Sequence, residues 1–152
     1  HVVTVEHFQR LVGEGAFLEH ARVFDNDYGT AEASVRAQLE QGHDLVLEID
    51  WQGARQVRAR FPEAVSIFIL PPSIDVLRER LSARAQDSVE VVERRMADAR
   101  SELSHHAEYD YLVINDDFAV ALSDLRAIIG AERLRGPRQS ARWAADLAAM
   151  LG

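Results

Sequence analysis

The chain has 152 residues, 47% hydrophobic and 28% charged, the length and composition of one globular domain with a real core rather than a disordered segment. A formal net charge of −8 excludes a nucleic-acid coat protein, which needs a cationic surface to release counterions. Cysteine is absent, which removes disulfides, thiolate zinc sites and cysteine nucleophiles together.

In chain order, His1 to Thr4 reads as a strand end and Val5 to Val12 as a short helix that stops at Gly13-Glu14-Gly15. Phe17 to Phe24 is β-like and is broken by a turn at Asp25-Asn26-Asp27. Thr30 is placed to cap a helix from Ala31 to Glu40, and Gly42 to stop it. Asp44 to Ile49 is a short apolar run between helices, the pattern of a buried parallel strand. A helix from Gln52 to Arg60 precedes a second such strand, Val65 to Leu70.

Pro71-Pro72-Ser73 opens a helix over Ile74 to Leu81, and Ser82 to Ser88 reads as a loop. Asp87 or Ser88 caps a long helix to about Ser104, and Tyr111 to Ile114 is a third buried strand. Asp117 caps a helix from Phe118 to Ala131, and a last amphipathic helix covers Arg138 to Met150. Strands alternating with helices predict an α/β fold with a parallel sheet, whose ligands bind outside the carboxyl ends of the strands. Glu48 and Asp50 follow one predicted strand and Asn115-Asp116-Asp117 another, with arginines in a nearby loop. Carboxylates that order a hydrated ion and guanidinium groups that clamp phosphates suit a magnesium nucleotide. The histidines do not suit a metal: His105-His106 are neighbours on a predicted helix and point apart, and His7, His20 and His43 are isolated.

Five segments, FLEHARVFDNDYGT, LVLEIDWQGARQV, SIFILPPS, RAQDSVEVVERRM and AEYDYLVINDDF, closely resemble in order and spacing those of bacterial guanylate kinases. The resemblance implies a P-loop nucleoside-monophosphate-kinase core, a parallel sheet with flanking helices, and transfer of the γ-phosphoryl group of MgATP to GMP. Residues 1–30 would be the remainder of a GMP-binding domain, 31–81 and 96–152 the core, and 82–95 the lid region.

By that resemblance Glu19 reads guanine, its two acceptor oxygens matching the N1–H and N2–H₂ donors of the base. Tyr28 donates to the GMP phosphate and Thr30 contacts guanine. Asp50 stands where ligand and magnesium-bound water approach, with Glu48 a less certain partner; read by itself, either could cap the following helix. Arg80, Arg84 and Arg95 align with arginines that the family brings onto the phosphates of ATP, with Arg94 an adjacent candidate. Asn115 resembles the contact to adenine. Magnesium would be held through nucleotide phosphates and water. The lid departs from the family's Gly-Arg-Gly, reading Ala83-Arg84-Ala85, which restricts the backbone where closure helps catalysis.

All 17 basic residues are arginine, so no P-loop lysine is present, and Gly13-Glu14-Gly15 leads into the guanine stretch rather than forming a phosphate loop. The chain opens at His1 in an apparent strand. The expectation is therefore an upstream segment outside these residues, holding the phosphate loop and the first central strand, without which the 152 residues alone would be inactive. The competing expectation is a non-catalytic guanylate kinase-like module that binds partner peptides. No apolar run spans a membrane and no signal-like start is seen, so a cytoplasmic protein with neither membrane nor nucleic-acid partners is expected, free to form a homo-oligomer.

Overall fold

The computed structural model describes residues 2–23, 26–83 and 89–152. They divide into two compact units, His1–Ser66 with Arg100–Glu108, and Ile67–Ala99 with Tyr109–Gly152.

In the first unit, residues 2–4 carry no regular structure, in place of the expected strand end, and Thr4 instead caps helix α1 (Val5–Gly13) by accepting from the His7 amide. Gly15, at φ +65°, turns the chain into strand β1 (Phe17–Val23) in a conformation that glycine adopts without strain. Phe8 of α1 packs against Phe17 with ring centroids 4.8 Å apart. β1 pairs antiparallel with β2 (Asn26–Ala31). Of the expected turn Asp25-Asn26-Asp27, Asn26 and Asp27 instead lie in the ladder, paired with Val23 and Arg22, and Asp25 lies outside the described residues. Gly29 lies opposite His20, where a Cβ would come within 2.9 Å of the Phe17 ring.

Helix α2 (Glu32–Glu40) follows with Ala31, not Thr30, at its cap position and no side-chain cap bond. Thr30 is still in the ladder, and its hydroxyl is committed elsewhere. Gly42, at φ +80°, closes the end of α2 as its sequence position suggested. Residues 43–50 form no strand, contrary to the reading of Asp44 to Ile49, and Val46 is 80% exposed. An apolar run becomes a strand only by joining a ladder, and among the described residues none pairs with it. Asp50 caps helix α3 (Trp51–Arg60), accepting from the Gly53 amide at 2.8 Å.

The second unit holds β3 (Ile67–Leu70) and β4 (Tyr111–Ile114), paired in parallel from Ile67 opposite Tyr111 to Leu70 opposite Ile114. The Asn115 amide extends the ladder onto the Leu70 carbonyl at 2.7 Å. Ser73 accepts from the Val76 amide at the start of α4 (Ile74–Ala83), which absorbs Ser82 and Ala83 from the predicted loop. Residues 84–88, including the proposed cap at Asp87 or Ser88, lie outside the described residues. Helix α5 (Val89–Ser104) begins in this unit and ends in the first, and its Met96 is fully buried. It stops before the histidine pair: His105 lies in a turn and His106 opens a 3₁₀ turn, His106–Glu108, rather than sharing a helix.

Asp117 caps α6 (Phe118–Arg133), accepting from the Val120 amide at 2.9 Å. The Tyr111 hydroxyl donates to buried Glu132 on α6 at 2.7 Å, which holds that carboxyl below the usual carboxylate range. The expected terminal helix is two, α7 (Gly136–Arg142) and α8 (Ala144–Leu151). Pro137 starts α7 early, since the first helical turn needs no proline N–H. Trp143 leaves helical geometry between them and donates through its indole N–H to Gln139.

Candidate functional site

The polar centre of the first unit is Glu19. It is 3% exposed, next to Leu18 at 1%, although neighbours on a regular strand point to opposite faces. A register shift between Phe17 and Glu19 explains how both are buried. A buried carboxylate needs partners, and the first is directly across the ladder. Thr30 faces Glu19 and its hydroxyl donates to Oε1 at 2.5 Å. The second neighbour is the first turn of α3: a Cβ placed on Gly53 would lie 2.9 Å from Glu19 Oε2. The carboxylate therefore sits between a strand hydroxyl and bare helix backbone.

Asp50 stands in the same place, but both of its oxygens are engaged. Oδ1 accepts the Gly53 amide, and Oδ2 accepts the Gln52 side chain at 3.2 Å. Tyr28 is on β2 opposite Ala21 and 57% exposed, its hydroxyl available to a ligand. Glu48 is exposed in the irregular 43–50 segment.

Three residues that sequence reasoning passed over hold this arrangement. Gln56 reaches back from α3 to the backbone of His20, accepting from its amide at 3.0 Å and donating to its carbonyl at 2.9 Å. That doublet copies the bonds of a neighbouring strand. Gly53 itself was flagged by nothing but its presence in a helical pattern, where glycine costs stability and so signals a close approach. Arg55 is the third, and its fork meets Glu108 at 2.7 and 2.5 Å while its guanidinium lies over the Trp51 ring. Arg58 adds a bond to the Glu108 carbonyl at 2.8 Å, and His105, stacked on Trp51, meets Oε1 at 2.7 Å. Arg55 first, then His105, hold the Glu108 carboxyl down to about 2. The cluster fixes the orientation of α3.

In the second unit Arg80, on α4, donates to the carbonyl oxygens of Asn115 at 2.6 Å and Asp116 at 3.2 Å. An arginine and an asparagine proposed for phosphate and base are thus joined at the carboxyl end of β4, where α/β sheets bind ligands. Arg95 is half-buried on α5, and Arg94 beside it is exposed. Arg84 lies outside the described residues. Among the described residues no three His, Cys, Asp or Glu side chains converge as metal ligands.

The crystal structure of guanylate kinase from Anaplasma phagocytophilum superposes with a TM-score of 0.76, covering 91% of this chain and 67% of that one at 34% identity. The class is that of the α/β P-loop nucleoside-monophosphate kinases. The chain is 57% identical over 152 residues to the guanylate kinase of Alkalilimnicola ehrlichii, covering all of this chain and 75% of that protein. It is 55% identical over 151 residues to that of Vibrio cholerae, covering 99% and 73%. A family model described as guanylate kinase matches residues 1–132, and the chain belongs to the guanylate kinase family.

Proposed function

We propose that the protein transfers the γ-phosphoryl group of MgATP to GMP. An oxygen of the GMP phosphate attacks the γ-phosphorus, the bond to the bridging oxygen breaks, and ADP leaves as GDP forms. The observation that carries the reading is the buried Glu19 carboxylate, held at one oxygen by Thr30. Such a group suits the paired N1–H and N2–H₂ donors of guanine and rejects adenine, which leaves it unsatisfied.

In this reading Tyr28 and Thr30 complete the GMP pocket and Asp50 faces the magnesium-bound water. Arg80, Arg84 and Arg95 neutralise the phosphoryl oxygens in transit, and Asn115 meets adenine. Such transfer depends on positioning and charge more than on covalent help from the protein. Residues 1–30 belong to the GMP-binding part, 82–95 to a lid, and 31–81 and 96–152 to the core. Magnesium would be held through the nucleotide phosphates and water, as is common in kinases. Among them no helix is long and apolar enough to cross a membrane, and we place the activity in the cytoplasm.

Relatives at 55–57% identity, each named guanylate kinase, favour the enzyme over a peptide-binding module. The test is ATP-dependent conversion of GMP to GDP by the protein made from its whole gene, with AMP as the control acceptor. GDP and ADP in equal amounts, with AMP unused, is the expected result. No GDP, together with capture of peptides and no calorimetric signal for GMP, would replace this reading with the module.

A further inference from the structure

We propose that Gly53 and Gln56, on one face of α3, are positioning residues that set guanine selectivity through Glu19, an inference that rests on the GMP reading above. The two are three residues apart and so share a helix face. That face meets β1 at Glu19 and His20. Gln56 grips the His20 backbone at two points, fixing the strand one residue beyond the carboxylate. Gly53 leaves the space that the carboxylate fills. A Cβ there would stand 2.9 Å from Glu19 Oε2, 3.2 Å from the Ile49 Cβ and 3.4 Å from Asp50 Oδ1.

Neither flank of that gap can give way cheaply. Glu19 is buried and tied to Thr30 at its other oxygen, and Asp50 is tied to the Gly53 amide. A methyl group at position 53 must therefore rotate or push the carboxylate out of its seat. Backbone strain is not the reason for glycine, since Gly53 is helical and is not among the positive-φ glycines. Alanine is in fact the better helix former. The glycine is kept at a cost to helix propensity, and the residue it accommodates is the one that reads the base.

The contrast between helix propensity and carboxylate position gives the experiment its readout. In the protein made from its whole gene, Gly53→Ala should raise the KM for GMP about tenfold, the scale of one lost hydrogen bond to a charged group. The KM for ATP should not rise. The preference for GMP over inosine monophosphate, which lacks the N2 amine, should fall with it. In a Glu19→Ala background the same substitution should change the GMP KM by less than about twofold, because coupled sites are non-additive. Gln56→Ala, which leaves position 53 untouched, should also raise the GMP KM and spare that for ATP.

An unchanged GMP KM in either single variant overturns the proposal. So does an equal rise with Glu19 already removed, or a joint rise in both KM values with a lower melting temperature. A wild-type protein that makes no GDP fails the underlying reading instead. A wild-type protein that makes GDP while Gly53→Ala matches it fails this inference alone.

Discussion

Arg80 donates from Nη1 to the backbone carbonyl oxygen of Asn115 at 2.6 Å, joining residues 35 apart in sequence. The same guanidinium reaches the Asp116 carbonyl at 3.2 Å, so one side chain spans the turn that follows β4. Two of its five donors are used here, which leaves others for phosphate oxygens. Arg80→Ala should lower kcat about 100-fold, the typical loss of one preorganised charge-stabilising donor, and raise the ATP KM. Arg80→Lys should fall between, since an ammonium group cannot reproduce the planar fork. Steady-state kinetics with ATP varied at saturating GMP measures both.

Thr30 is the only hydroxyl bonded to Glu19 among the described residues. Thr30→Val keeps the shape and removes the bond, which for a charged acceptor is worth about 1.5–3 kcal/mol, or about 10- to 150-fold in GMP affinity. Thr30→Ser should restore most of it. Calorimetric titration with GMP distinguishes the two variants.

Asp50 combines a cap with a charge, and the two are separable. Asp50→Asn retains a good N-cap for α3 and should leave the urea midpoint nearly unchanged, while the loss of charge lowers kcat. Asp50→Ala should lose both, destabilising by about 1 kcal/mol in addition. Equal kcat for wild type and Asp50→Asn would make Asp50 a cap alone.

The Glu108 carboxyl, held down to about 2 by Arg55 and His105, titrates near 4.5 when unpaired. A carboxyl depressed on folding stabilises the folded state above its unfolded value and loses that contribution as pH falls towards its folded value. Glu108→Gln should therefore melt below wild type at pH 7, with the gap closing between pH 4.5 and about 2. Paired thermal melts across that range check the sign.

Elements whose signals lie within a few residues were legible in the sequence. Tyr111–Ile114 is the strand the apolar run predicts, and Asp117 caps α6 as its position demands. Asp44 to Ile49 carries an equally apolar run and is not a strand, because a ladder needs a partner that local pattern does not supply. Trp143 splits the predicted last helix, its indole N–H turned back onto Gln139, a break that residue periodicity does not encode.

The candidate site divides in the same way. Sequence singled out Glu19, Thr30, Asp50, Arg80 and Asn115 by resemblance, and could offer Thr30 and Asp50 as helix caps. Only the tertiary structure showed which of the two is a cap: Asp50 caps α3, whereas Thr30 stays in β2 and gives its hydroxyl to Glu19. It alone revealed Gly53 and Gln56. Residue type and spacing determined which chemical groups this protein carries and the family to which they belong. Which groups meet, and which glycine leaves room for a carboxylate, was decided by strands and helices packing across tens of residues, where hydrogen bonds and steric contacts are made.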